Sequence, residues 1–368
     1  MKKKCLFLIN GLGLGNSTRC FAVIEHLLQA GMEVHVATSG NGLKFFQDKP
    51  LTSLHSTDAY FYSGRDGRVS GWRTYLSMGA HIKSTLAKHA QIGALLESIK
   101  PDVAITDSEY AILPMKRRKI PIIALNNAEV VVSEYFRHKT NPADIKGHFW
   151  LIEYADYLFH KWMCDLVLSP SPYAKEPVHS KFKRIGMIVR NALVKAIDGP
   201  RPTTFLRPRN IKEVVFMLSG SIFASAISFE NDKFPFHIDV VGRSGTNAGN
   251  VIFHGRKMDN IDLLKKADVL VINGGASAVS EALFLGKPTF VIPVPGHAEQ
   301  FVNARMVREL GLGYIAEEKN VIGQLMNTYQ NNEWPGLTAP PPLVDTDGTR
   351  QAAMAICEFL EQRRARVS

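Results

Sequence analysis

The architecture of this chain can be worked out from one stretch, Ala267-Asp268-Val269-Leu270-Val271-Ile272-Asn273-Gly274-Gly275-Ala276-Ser277-Ala278-Val279-Ser280-Glu281-Ala282. Val269 to Ile272 reads as a buried parallel strand, Asn273-Gly274-Gly275 breaks it, and a helix opens at Ser277, a favourable N-cap residue. Glycines let a ligand approach the main chain. The first helical turn offers N–H groups without intrahelical partners, so the two together form an anion site suited to a diphosphate. Glu281, one turn on, carries a carboxylate able to accept two hydrogen bonds from a ribose diol. An acid in a first turn also suits the helix dipole, so Glu281 alone supports either reading.

Downstream, Gly286-Lys287-Pro288 leads into a strand at Thr289 to Ile292. The loop Pro293-Val294-Pro295-Gly296-His297-Ala298-Glu299-Gln300 and then Asn303-Ala304 follow. A loop leaving the C-terminal end of a parallel strand is where α/β proteins bind ligands. Adjacent Glu299 and Gln300 suit several sugar hydroxyls, or alternatively open a helix. Upstream, strands at Val214 to Leu218, Ile238 to Val241 and Val251 to His254 continue the alternation. The N-terminal half has the same rhythm: a strand at Lys4 to Asn10, a helix at Ser17 to Ala30 ended by Gly31, and a strand at Glu33 to Ala37. A long helix follows around Tyr75 to Ile99, with strands at Val103 to Thr106, Ile122 to Leu125 and Leu166 to Leu168. Strand–helix alternation of this kind predicts parallel sheets with right-handed crossovers.

The rhythm breaks between Gly186 and Arg209, where Gly199-Pro200-Arg201-Pro202 and Arg207-Pro208-Arg209 are rich in breakers. The expected division is therefore an N-terminal domain over 1–188, a linker over 189–209 and a C-terminal domain over 210–347. A final amphipathic helix over 348–368 is expected to pack back on the N-terminal domain. At 368 residues, with 45% hydrophobic and 21% charged residues, the chain suits two ordinary globular domains. Four scattered cysteines without a C-x-x-C pair argue against a disulfide scaffold or thiolate zinc site and for a reducing cytosol. The apolar run after Met1-Lys2-Lys3-Lys4 is too short for a membrane span and leads into glycines, which makes it a first strand rather than a leader. A formal charge of +10 implies an anionic partner, and the basic clusters read first as solvated surface. No arginine–aromatic interleaving points to nucleic acid. Trp72, Tyr75, Leu76 and Met78 form an apolar group at helical spacing, read as core before lipid contact.

The run from Asn273 to Ala304 resembles the donor-binding region of GT-B glycosyltransferases, and is most similar to the peptidoglycan N-acetylglucosaminyltransferase and its relatives. Gly11-Leu12-Gly13-Leu14-Gly15-Asn16-Ser17-Thr18-Arg19 resembles that group's N-terminal glycine loop, and Asp102 to Glu109 a further N-domain motif. The resemblance implies two facing Rossmann-like, doubly wound domains with the active site in the cleft between them. It implies that Gly274, Gly275, Ala276 and Ser277 hold diphosphate, that Glu281 holds ribose, and that the loop carrying His297, Glu299 and Gln300 holds the sugar. The base would lie against main chain near Phe253 to Met258, and the Ser219-Gly220-Ser221 loop would touch phosphate. The co-substrate would be a nucleoside-diphosphate sugar, UDP-linked by preference, with no tightly bound cofactor. Location would be cytoplasmic, with weak peripheral contact at the inner membrane face as an option.

The N-terminal loop also invites a dinucleotide reading, but G-L-G-L-G-N is not a G-x-G-x-x-G, and Glu33 lies too near to be the ribose acid. By resemblance the loop, with Gly13 and Gly15, faces an acceptor that is a small molecule, glycan or lipid-linked sugar. Relatives often follow it with a histidine base. Asn16 stands there and cannot take a proton at neutral pH. Asp107 and Glu109, at the end of a strand, are the substitute candidates. Transfer needs the acceptor proton removed and the leaving diphosphate stabilised, and a helix N-terminus meets the second need without a metal. Asp345-Thr346-Asp347 has D-x-D spacing but sits in a breaker-rich loop and reads as a turn, so no metal is expected. Inversion at the anomeric carbon is the implied outcome. A nucleotide-sugar hydrolase, an epimerase and a non-catalytic nucleotide-sugar binder remain as alternatives.

Overall fold

Strand β1 (Lys4–Ile9) is apolar from Cys5 onward and nearly inaccessible to solvent, as a central parallel strand covered on both faces must be. The computed structural model describes residues 2–59, 64–65, 68–69, 78–173, 176–197, 210–218, 227–229, 233–257, 259–335 and 345–367. Within the N-terminal half, β2 (Glu33–Thr38), β3 (Ser53–Ser56), β6 (Val103–Asp107), β7 (Ile122–Leu125), β8 (Leu166–Pro170) and β9 (Phe182–Ile185) join β1 in one seven-stranded sheet. Its order is β3-β2-β1-β6-β7-β8-β9. Every pairing is parallel, with Phe7 opposite Val36 on one side and Ile105 on the other. A short hairpin of β4 (Gly64–Arg65) and β5 (Arg68–Val69) stands apart. The helices are α1 (Leu14–Gln29), α2 (Gly40–Phe46), α3 (Met78–Ile99), α4 (Leu113–Arg117), α5 (Ala128–Arg137), α6 (Ala143–His148) and α7 (Tyr154–Met163), with a π turn at Phe149–Glu153 between the last two.

The second sheet has the order β12-β11-β10-β13-β14-β15, again wholly parallel. Its strands are β10 (Glu213–Met217), β11 (His237–Val241), β12 (Val251–Gly255), β13 (Val269–Asn273), β14 (Thr289–Ile292) and β15 (Gly313–Ile315). Helices α8 (Asn191–Ala196), α9 (Ile261–Lys266), α10 (Ala276–Leu285), α11 (Ala298–Glu309), α12 (Val321–Asn331) and α13 (Gly348–Val367) follow among the described residues. Both sheets are Rossmann-like. The strand order reverses between β1 and β6 in the first and between β10 and β13 in the second, and such reversals are where open α/β sheets bind ligands.

Within the two large sheets three strands escape the sequence pattern, and all three are edges. β3 (S-L-H-S), β9 (F-K-R-I) and β15 (G-Y-I) pair on one side only, so they lack the unbroken apolar run of a central strand. Helix α1 begins at Leu14, inside the glycine loop, three residues before the expected start. The break expected from Gly186 contains helix α8, and residues 198–209 of the expected linker lie outside the described residues. Gly220, Ser221, Met258, Trp72, Tyr75 and Leu76 also fall outside them, as does the Met78 side chain.

Two compact units emerge. One comprises 1–133, 154–190 and 347–368, and the other 134–153 and 191–346. In the first, α13 lies on α1, where Ala352, Ala355 and Ile356 share a core with Cys20, Val23 and Leu27. Gly348 is obligatory there, because a Cβ would sit 1.8 Å from the Gly186 carbonyl oxygen. Gln351 Oε1 accepts from Gly186 N at 2.8 Å. The sequence expectation put 134–153 with the N-terminal domain, yet this segment packs within the second unit. Buried Arg305 on α11 donates to Asn141 Oδ1 at 2.8 Å and to the Glu134 carbonyl at 2.9 Å.

Candidate functional site

In the second unit, β13 delivers Asn273, Gly274 and Gly275 to the strand-order reversal. The N-cap of α10 is Gly275 (φ −67°, ψ 139°), two residues before the expected Ser277 cap. No side chain caps this end. A Cβ built on Gly275 would meet nothing within 4 Å, so the main chain there faces open space. Gly274 is the opposite case: its Cβ would lie 2.5 Å from the Gln300 carbonyl oxygen. That close approach seats the start of α11 against the glycine pair. Asn303 Nδ2 donates to the Gly274 carbonyl at 2.9 Å, and Asn273 Nδ2 to the Ile292 carbonyl at 3.1 Å. The two loops expected to share a ligand are thus cross-braced by two asparagines.

Glu281 is buried, in the second turn of α10 rather than the first, so the helix-dipole explanation for an acid at this position falls away. His297 caps α11, its Nδ1 accepting from Gln300 N at 3.5 Å. Burial, with His148 adding and Glu299 opposing, pushes the His297 imidazole down to about 4. It is therefore neutral at physiological pH and able to accept that bond. Gln300 Oε1 accepts from Val294 N at 3.1 Å, which commits that oxygen to shaping the loop. At the expected base-binding edge, His254 Nε2 lies 2.5 Å from Asp239 Oδ1, and Lys266 Nζ lies 2.6 Å from Asp239 Oδ2. Burial alone would raise the Asp239 carboxyl, but Lys266 and His254 outweigh it and hold it below the ordinary range.

In the first unit, the glycine loop and the end of β6 meet at the other reversal. Asn10 N donates to the Asp107 carbonyl at 3.0 Å. Gly11 has no room for a side chain, since a Cβ would sit 1.7 Å from the Ser39 carbonyl oxygen. A pocket of about 190 Å³ opens here, lined by Asn10, Gly11, Leu12, Ser39, Asn41 and Lys44 among others. Gly13 is the N-cap of α1, Gly15 lies in its first turn, and Asn16 is part-exposed beside them.

Asp107 and Glu109, the two candidate bases, both lie in ion pairs. Asp107 is 1% exposed and gripped by Arg19, Nε to Oδ2 at 2.9 Å and Nη2 to Oδ1 at 2.6 Å, with Cys20 Sγ donating at 3.3 Å. Glu109, 2% exposed, pairs with equally buried Lys88 at 2.6 Å and accepts from Ala111 N. Both carboxylates are paired with cations, Asp107 with part-buried Arg19 and Glu109 with buried Lys88. Arg19 and Lys88 were the residues sequence reasoning missed. Arg19 stood within the quoted motif, three residues after Asn16, and its Nη2 approaches Asn16 Oδ1 at 3.5 Å. Asp347 of the D-x-D spacing pairs with Arg350 at 2.5 Å in the first turn of α13, as a turn residue would.

Comparison with known proteins bears on the family and the fold. Residues 3–168 match Glycosyl transferase family 1, and residues 237–337 match the Glycosyltransferase family 28 C-terminal domain. An uncharacterized glycosyltransferase of Methanosarcina acetivorans is 25% identical over 337 residues, 84% of each chain. A UDP-N-acetylglucosamine--N-acetylmuramyl-(pentapeptide) pyrophosphoryl-undecaprenol N-acetylglucosamine transferase of Nocardioides is 23% identical, over 71% of this chain and 68% of that one. The solved structure of CalG4, the calicheamicin glycosyltransferase, superposes with a TM-score of 0.61 at 16% identity, covering 98% of each.

Proposed function

The chain being a glycosyltransferase of the GT-B fold, we propose that it moves a sugar from a nucleoside-diphosphate sugar to an acceptor received at the glycine loop of the first unit. The observation that carries this reading is the end of β13. Main chain at Gly275 is open, the α10 N-terminus has no side-chain cap, and Glu281 sits buried in the next turn. Diphosphate would take the helix N-terminus, and Glu281 the ribose. Uridine is the favoured base because of the UDP-sugar transferase among the relatives. The departing diphosphate's charge is met by backbone N–H groups, which supports metal-independent transfer, and inversion at the anomeric carbon rests on the family resemblance alone. His297 and Gln300 shape the sugar loop, and Glu299 is its contact to hydroxyls.

On the acceptor side, Asp107 is a positioning residue that holds Arg19 beside Asn16, and Glu109 plays the same part for Lys88. Calorimetric titration with UDP, TDP, GDP and ADP tests the donor half. One diphosphate should bind selectively, and Glu281→Ala should weaken it by about 2–3 kcal/mol through loss of charge-assisted hydrogen bonds. A folded Glu281→Ala protein that binds as tightly as wild type removes the ribose assignment.

Peripheral membrane contact has a specific observation behind it. No helix among the described residues is long and apolar enough to cross a membrane. Phe136, Trp150, Leu151 and Ile152 nevertheless lie exposed in one segment together with exposed Lys139 and Lys146. Apolar side chains flanked by cations suit an anionic bilayer face. Liposome flotation with and without anionic lipid tests this. Protein that stays at the bottom of both gradients dismisses it.

A further inference from the structure

We propose that His148, Glu153 and His297 form a binding site for a divalent transition-metal ion of the zinc class, clamping segment 134–153 to the start of α11. The donor set arises from an irregularity in the backbone. In a regular α-helix residues five apart point to different sides, since the facing neighbours are three and four apart. The π turn at Phe149–Glu153 widens the repeat to i→i+5, and π turns concentrate at functional sites. His148 precedes that turn and Glu153 closes it, so the two come together: His148 Nδ1 lies 3.3 Å from Glu153 Oε1.

The third donor comes from 144 positions further along the chain. His297 enters from the loop before α11, and its ring centroid lies 4.4 Å from that of His148, with the planes tilted by 33°. One donor atom from each of the three residues lies within 4.8 Å of the others. Zinc bonds to nitrogen and oxygen of about 2.0–2.2 Å place neighbouring tetrahedral donors about 3.4 Å apart. The His148–Glu153 distance already matches, and the His297 donor lies within 4.8 Å of both, on a ring held in place as the N-cap of α11. Two imidazoles and a carboxylate are a recurrent zinc donor set, with the fourth position left to water.

A second cluster in the same unit shows what a satisfied site looks like. Glu134, His138 and Glu309 also bring their donor atoms together. There the Arg137 guanidinium sits between the carboxylates, 2.5 Å from Glu134 Oε2 and paired as well with Glu309. That cluster's cation is built in, and the zinc proposal concerns only the first.

The test uses the full chain, stripped with chelator and desalted, then titrated with ZnCl2 calorimetrically and by thermal melting. One equivalent should bind at micromolar Kd or tighter and raise Tm. His148→Ala and Glu153→Gln should each weaken binding by tenfold or more and abolish the Tm rise, while Glu309→Gln leaves both unchanged. Circular dichroism checks the fold, and the near-isosteric Glu153→Gln carries the test if His148→Ala does not fold. Wild type that binds no tighter than 100 μM overturns the proposal. So does binding that persists in His148→Ala and Glu153→Gln, or that is lost in Glu309→Gln instead.

Discussion

Adjacent glycines at the end of β13 should fail in opposite ways when given a methyl group. Gly275→Ala adds a Cβ into open space at backbone angles that alanine adopts freely, φ −67° and ψ 139°. Fold stability should therefore change little, and restriction of the unfolded chain adds about 0.4–1 kcal/mol. The same methyl projects where the diphosphate would lie against main chain, so UDP affinity should fall by about tenfold or more, or about 1.4 kcal/mol. Gly274→Ala forces a Cβ to 2.5 Å from the Gln300 carbonyl oxygen and 2.9 Å from Gln300 Cβ. Backbone, not a flexible side-chain tip, must move. Overpacking of that kind costs about 1–3 kcal/mol, which lowers Tm by about 2–4 °C per kcal/mol for a unit of this size. Thermal melts and UDP calorimetry on both variants give four readings. A Gly275→Ala protein with wild-type UDP affinity refutes the diphosphate placement. A Gly274→Ala protein as stable as wild type refutes the close seating of α11.

Removing one partner of the buried Lys88–Glu109 pair leaves an uncompensated charge. Lys88→Met should cost about 3–5 kcal/mol in urea unfolding, and the double variant Lys88→Met/Glu109→Gln should recover most of it; an additive double variant would show that the pair is not coupled. Arg19→Ala should destabilise by a similar amount because Asp107 stays buried, whereas Arg19→Lys, which loses the bidentate grip, should fall between; equal stability of all three proteins rejects this. The pair His160–Asp156 gives stability a pH window. Burial opposes charge on both, but each holds the other, with Asn126 also bonding Asp156, so the His160 pKa is raised and the Asp156 pKa lowered. The histidine's contribution is complete below the ordinary 6.5 and fades as pH rises through its raised value; the carboxylate's is complete above 3.8 and fades as pH falls through its lowered value. Urea midpoints should thus show the pair's full contribution between those limits, and His160→Gln should flatten that part of the profile; an unchanged profile discards the pair as its source.

The backbone around the end of β13 was legible because its signals are local. An apolar run, two glycines and an N-terminal helical turn follow each other within 16 residues, and each is a statement about neighbouring backbone. The central strands β1, β6, β7, β10, β11, β13 and β14 were readable for the same reason, since strands covered on both faces are continuous in hydrophobicity. Gly348 and the small residues of α13 mark close packing, although the partner they pack on was not written in them.

What the tertiary structure decided is the ownership of charge. Asp107 and Arg19 stand 88 residues apart, and only the parallel register of β1 with β6, which sets Ile9 beside Asp107, brings α1 over that carboxylate. No spacing rule in the chain encodes such a pair, so a residue singled out as a candidate base is found buried against an arginine. The segment 134–153 follows the same logic. Its helices and π turn pack on α11 through Arg305 and bring His148 to His297, although the sequence rhythm assigned it to the other unit. Local propensity and periodicity act over a few residues and can be read along the chain. Ion pairing and donor convergence act through space, and their partners exist only once the sheets have set the register.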